Sequence, residues 1–365
     1  MTDFDKRYAK LLGEYSLYLK PGELVYLRTT VLAHDLVREF SKVCIDRGAR
    51  LVTDIEYEDQ ENYLVQNGSD DLLQFVPSHR LELMRTCDAY LVIRAPFEVV
   101  PVTSDRAEAE RIRQQALAPI QEIYFERLGN GSLKRSLCQY PTAEAARLAA
   151  MSITEYQNFV AHACAIDQEE PMDSWKALSR RQSVWIDYLS KVKRMEYRHT
   201  DWSISFAVEG RTWINSDGKS NMPSGEVFTS PIEDSVEGSI YFNYPTGIFG
   251  GRVGGIRLEV VKGEIIAWTA EEGQSFLDRA MTTEGGRRFG EVAIGTNDNI
   301  QRATRNILFD EKIGGTIHMA VGQSYYQCGG KNKSAIHWDL ITEMKNGGSI
   351  FADGELIYRD GKFLI

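Results

Sequence analysis

Leu24-Val25-Tyr26-Leu27, Leu51-Val52-Thr53-Asp54-Ile55 and Asp88-Ala89-Tyr90-Leu91-Val92-Ile93 are three short apolar runs, and helical patterning separates each from the next. A helix is expected over about Phe4 to Leu19, before a Pro21-Gly22 turn, and a second from roughly Ala33 to Asp46, ending at Gly48. Strands that alternate with helices need crossover connections, so this part reads as an α/β domain on a mainly parallel sheet. From about Thr142 to Val192 the pattern is helical, with Ser152-Ile153-Thr154-Glu155 as a capping box ahead of Phe159, Val160 and Ala163. After Arg194 the texture changes to short alternating strands broken by glycine: Trp202 to Val208, Gly225 to Thr229, Gly238 to Phe242, Gly255 to Val261 and Glu264 to Thr269. That texture belongs to a β-rich α+β domain. Two domains are expected, 1–180 and 181–365.

Composition limits the function classes. A chain of 365 residues with 43% apolar content can bury two full cores, and no run approaches the length of a membrane span. The opening Met1-Thr2-Asp3-Phe4-Asp5-Lys6 lacks the order of a secretory signal, so a cytoplasmic location is expected. A net charge of −10 without a basic stripe argues against a nucleic-acid partner. Cys44, Cys87, Cys138, Cys164 and Cys328 are scattered and odd in number, which excludes a disulfide framework and a thiolate zinc knot. Gly250-Gly251-Arg252-Val253-Gly254-Gly255 does not fit a dinucleotide fingerprint and reads as a hairpin loop. Gly218-Lys219-Ser220 lacks the first glycine of a phosphate loop, and there is no Gly-x-Ser-x-Gly elbow.

The chemistry is concentrated in the last third. In Ile336-His337-Trp338-Asp339, residues two apart on a strand share a face, so an imidazole and a carboxylate can reach one ion while Trp338 points away. His318 lies in the preceding apolar run, Gly314 to Gly322, and adjacent strands can bring the two imidazoles together. Glu226 and Glu291 each read Gly-Glu-Val at the head of a short strand, where glycine permits close backbone approach and the acid can point into a cleft. Glu311, in Leu308-Phe309-Asp310-Glu311-Lys312, fits a ligand and an exposed acid paired with Lys312 or Arg305 equally well. Three glutamates and one aspartate carry four negative charges, which two divalent cations would neutralise. Tyr325 and Tyr326 lie in the loop between the histidine strands, where a phenol could donate to a developing oxyanion.

Asn221 to Thr229, Gly290-Glu291-Val292-Ala293, Leu308-Phe309-Asp310-Glu311, His318 through Tyr325 and Ile336-His337-Trp338-Asp339 resemble, in order and spacing, the motifs of the aminopeptidase T, aminopeptidase S and PepS family of thermophilic metallopeptidases. Tyr8-Ala9-Lys10-Leu11, Lys20-Pro21-Gly22 and Arg47-Gly48-Ala49 resemble the family's opening, so the likeness spans nearly the whole chain. It implies an aminopeptidase acting on short peptides, with a β-rich catalytic domain and a homodimer that encloses its active sites. It also implies that Glu226, Glu291, Glu311, His318, His337 and Asp339 are the metal ligands and that Tyr325 is catalytic; carboxylate and imidazole donors accept zinc, cobalt and manganese alike, and Glu291 is expected to be shared between two such ions. The stretch from Glu311 to His318 is slightly longer than in the founding members. A rival reading takes His318, His337 and Asp339 as the facial triad of an iron(II) ring-cleaving dioxygenase, since one acting on hydroxylated pyridines resembles the same family. Glu226 and Glu291 favour the hydrolase, because a one-iron site has no use for them. A third reading, a non-catalytic binding scaffold, predicts that no metal binds.

Overall fold

The computed structural model describes residues 3–98 and 106–365. The chain forms two compact units, Met1–Met172 with Gly218–Pro223, and Asp173–Asp217 with Ser224–Ile365. The division falls at the start of the helix Pro171–Leu189, ahead of the 180/181 boundary expected from the sequence. Pro171 opens that helix, a position where its missing N–H costs nothing.

In the first unit, β1 (Leu24–Thr30), β2 (Arg50–Glu56), β3 (Ala89–Arg94) and β4 (Lys134–Gln139) run parallel in the order β2-β1-β3-β4. The two-residue strand Asn221–Met222 extends the β4 edge, also parallel. Val25, Tyr26 and Leu27 are buried in succession, the mark of a strand covered on both faces. Helix His34–Asp46 makes the crossover from β1 to β2, and Gly48, at φ +70°, lets the chain turn back after it. The first helix runs regularly over Asp3–Leu11 and continues as a wider turn, Leu12–Ser16. Within that turn a Cβ on Gly13 would lie 2.5 Å from Val43, so glycine is what allows the two helices to touch. The capping box forms as expected: Glu155 N donates to Ser152 Oγ, and Ser152 N donates to Glu155.

The second unit contains two antiparallel sheets. The smaller comprises β5 (Ile214–Ser216), β6 (Glu226–Thr229), β7 (Phe289–Gly295), β8 (Thr316–Gly322) and β9 (His337–Glu343), in the order β9-β8-β7-β6-β5. Among the described residues the larger has nine strands, between Arg194–Arg198 and the terminal Lys362–Phe363. One face of the smaller sheet presents Val227, Val292, Ile294, Ile317, Met319, Trp338 and Leu340 to a core shared with Ile204, Phe206, Ile240 and Leu258 of the larger. Burying side chains of this size stabilises by roughly 1.5–3 kcal/mol each, so this face fixes the register of β6 to β9. The glycine-rich stretch corrects the sequence reading: only Phe249 and Gly250 form the turn, and Gly251–Val261 is a strand. The ring of Phe276 occupies the space where a Gly251 Cβ would stand, so the missing side chain serves packing. All five cysteines are free and buried. No helix among the described residues is long and apolar enough to cross a membrane.

Candidate metal centre

Because side chains alternate along a strand, the opposite face of the small sheet receives Glu226, Glu291, His318, His337 and Asp339. The register brings them to one place. Glu291 on β7 lies opposite Ala320 on β8, which lies opposite Asp339 on β9. Ala293 lies opposite both His318 and Phe228. Ala320 and Ala293 are thus a floor of methyl groups, and longer side chains from four strands converge above it. The glycines before the two glutamates permit close approach: a Cβ on Gly225 would lie 2.7 Å from Asn297 Cβ, and one on Gly290 would lie 2.3 Å from the Gln323 carbonyl.

Glu311 reaches the cluster from outside the sheet, following the one-turn helix Ile307–Asp310. Buried Asp310 ties that turn down by accepting hydrogen bonds from Thr304 N, Thr304 Oγ1 and Arg305 N, while Asn297 and Ile313 form a β-bridge just beyond it. The side chain pairs with Lys312, as one sequence reading had it, but neither group is exposed. The Lys312 side chain is 0% exposed, and its Nζ lies 3.5 Å from Glu226 Oε1 as well as against Glu311. Charged neighbours such as Glu311 and Lys312 ordinarily read as a solvated pair, which is why the buried ammonium is absent from the sequence reading. The one local signal is their position between Phe309 and Ile313, both buried.

Distances within the cluster are short. His337 Nε2 is 3.0 Å from Glu291 and 3.5 Å from Asp339, and His318 Nε2 is 3.4 Å from Glu226 and 3.7 Å from Glu291. Glu291 therefore stands between the two imidazoles. His337 Nδ1 is 2.8 Å from the Gln323 carbonyl, which can only accept, so the proton sits on Nδ1 and Nε2 faces the carboxylates. Burial disfavours charge on both imidazoles, but the carboxylates prevail: His318 rises to about 9, and His337, beside Asp339 and Glu291, to about 12. Burial pushes Glu311 up to about 8 against the ammonium of Lys312, with Glu226 and Asp339 adding to the rise. Asp339 moves the other way, because the two histidines and Lys312 outweigh its burial. Tyr325 packs its ring 5.0 Å from that of His337 and 5.2 Å from Phe228, and burial followed by the surrounding carboxylates raises its hydroxyl well above the ordinary range.

Four carboxylates and two imidazoles this close need cations to be stable without taking up protons. Three overlapping sets have donor atoms within 4.8 Å of one another: Glu226, Glu291 and His318; Glu291, His337 and Asp339; and Glu311, His318 and Asp339. Each contains one imidazole, so among the described residues no convergent set unites His318 with His337, as the iron triad requires. Asp339 Oδ1 and His318 Nδ1 are buried without a hydrogen-bond partner, and the former is the kind of open valence a metal would fill.

A buried basin of mixed carboxylate and imidazole donors is the equipment of a protein that works with divalent metal. The thermophilic metalloprotease (M29) family matches residues 4–363, and the chain belongs to it: it is a metallopeptidase. Aminopeptidase T of Thermus thermophilus is 27% identical over 402 residues, covering 98% of this chain and 95% of that protein. Among solved structures, wild-type AmpT from Thermus thermophilus has a TM-score of 0.84 at 22% identity, covering 100% of this chain and 99% of that one. This likeness bears out the α/β fold with its parallel and antiparallel sheets. The 2,5-dihydroxypyridine dioxygenase from Pseudomonas putida KT2440 follows with a TM-score of 0.58 at 13% identity, covering 100% and 98%. At such identities the two structures speak to the fold alone.

Proposed function

We propose that the chain is a metal-dependent aminopeptidase that removes the amino-terminal residue from short peptides. The observation that carries this reading is the convergence of Glu226, Glu291, Glu311, His318, His337 and Asp339 on one buried site. The family membership and the aminopeptidase name of its relative support it. Two divalent ions, zinc, cobalt or manganese, are the cofactors proposed; when bound they would polarise the scissile carbonyl and bring a water to a reactive state near neutral pH.

The chain's own groups supply the rest. Glu291, placed between His318 and His337, would be the carboxylate that holds both ions. Gln323 fixes the His337 ring by its carbonyl, and His337, whose side chain is 25% exposed, marks the open side by which a peptide would enter. Tyr325, beside that ring, would donate its hydroxyl hydrogen to the oxyanion that develops on the scissile carbonyl. Because burial, and after it the neighbouring carboxylates, disfavour the phenolate, the phenol stays protonated and remains a donor at working pH. We also propose a homodimer, an expectation that rests on the family resemblance.

The deciding experiment is hydrolysis of aminoacyl-p-nitroanilides by protein stripped with a chelator and then reloaded. Stripping should abolish release and reloading restore it; elemental analysis should approach two ions per chain, and His337→Ala should lower that count. A single tightly held iron, with oxygen consumed on a dihydroxypyridine and no release from aminoacyl substrates, would overturn the reading.

A further inference from the structure

The donors are not equivalent, because a cation of the chain's own already lies among them. Lys312 is fully buried, with its ammonium against Glu311 and 3.5 Å from Glu226 Oε1. Of the three convergent sets, the first includes Glu226 and the third Glu311, so both use a carboxylate that Lys312 engages. Only Glu291, His337 and Asp339 form a set in which no carboxylate is ion-paired with Lys312. The charge balance follows the same division. Against four carboxylates the ammonium leaves three negative charges, so one divalent ion falls one short of neutrality and a second overshoots by one.

Resting on the two-ion reading above, we propose that Lys312 makes the two metal positions unequal. The Glu291, His337 and Asp339 position fills first and tightly. The position on the Glu226 and Glu311 side fills weakly, since an ion there must displace Lys312 from Glu311 or bind beside its charge. Lys312 thereby acts as a built-in monovalent cation that holds the acid cluster together when the second position is empty. It is a positioning residue, acting through Glu226 and Glu311.

The test is titration of metal-free protein with cobalt(II), followed by calorimetry and by visible absorbance, alongside Lys312→Met. Wild type should bind one ion at least about tenfold more tightly than a second, on the ground that like charges in a low-dielectric site repel strongly. In Lys312→Met the two affinities should converge through a tighter second event, and the metal-free variant should melt at lower temperature while regaining more on cobalt addition. If the metal-free variant does not fold, it is purified with cobalt bound and the second affinity is read by chelator competition. Two ions of equal affinity in wild type, a separation unchanged in Lys312→Met, or a single ion in both proteins would overturn the proposal. Failure of both proteins to bind cobalt at all would instead remove the metal reading on which it rests.

Discussion

Replacing Glu291 by glutamine tests the shared carboxylate most directly, because the change removes one charge and little volume. Glu291 is 3% exposed and lies 3.0 Å from His337 Nε2 and 3.7 Å from His318 Nε2. At an effective dielectric of about 20, Coulomb's law gives about 5 kcal/mol for each contact before desolvation is counted. Removing one partner of a buried pair typically costs about 3–5 kcal/mol, and the amide oxygen can still accept one hydrogen bond, so metal-free Glu291→Gln should lose about 3 kcal/mol of stability. With metal the consequence is larger in kind, since a neutral amide cannot balance the two cations proposed above. A loss of about 4 kcal/mol in electrostatic stabilisation corresponds to about a thousandfold in turnover. Initial rates on leucyl-p-nitroanilide at saturating metal would measure it, with circular dichroism to check the fold and elemental analysis to count ions. A folded variant that kept more than roughly a tenth of wild-type turnover would refute the argument, because no effect of this size leaves so much activity.

Tyr325→Phe should lower kcat by about a hundred- to a thousandfold without changing metal content, the usual effect of removing one oxyanion donor. Tyr326→Phe, on a ring 63% exposed, should leave turnover near wild type, and the reverse ranking would move the role by one residue. Stability of the metal-free protein should fall as pH rises from about 6.5 through about 9, because folded His318 and His337 keep protons that the unfolded chain has released. The metal-loaded protein should show the opposite trend over that range, since binding requires deprotonated ligands; parallel thermal melts against pH would expose any failure of this contrast. Light scattering should report twice the mass of one chain, and a monomer at every concentration would remove the proposed homodimer.

How much of this was legible in the sequence depends on whether position follows from local pattern. Glu226, Glu291, His318, His337 and Asp339 sit on strands whose alternate residues are apolar, so parity alone assigns them to the face away from Val227, Val292, Ile317, Met319 and Trp338. The parallel sheet was readable for a similar reason: Val25-Tyr26-Leu27 and Leu91-Val92-Ile93 are runs that only strands covered on both faces require. Glu311 has no such periodicity. Its place is decided by Asp310 closing on Thr304 and Arg305 and by the pairing of Asn297 with Ile313, contacts that no window around Glu311 contains in full. The strands after Ser349 are not legible locally because their pairing is remote, with Ile350 against Tyr197. Lys312 was misread for a deeper reason. An ammonium beside a carboxylate is ordinarily the signature of solvent, and only the converging acids of other strands turn burial of that charge from a cost into a requirement. A local rule fails first at such a position, because the group's surroundings are supplied by the rest of the site.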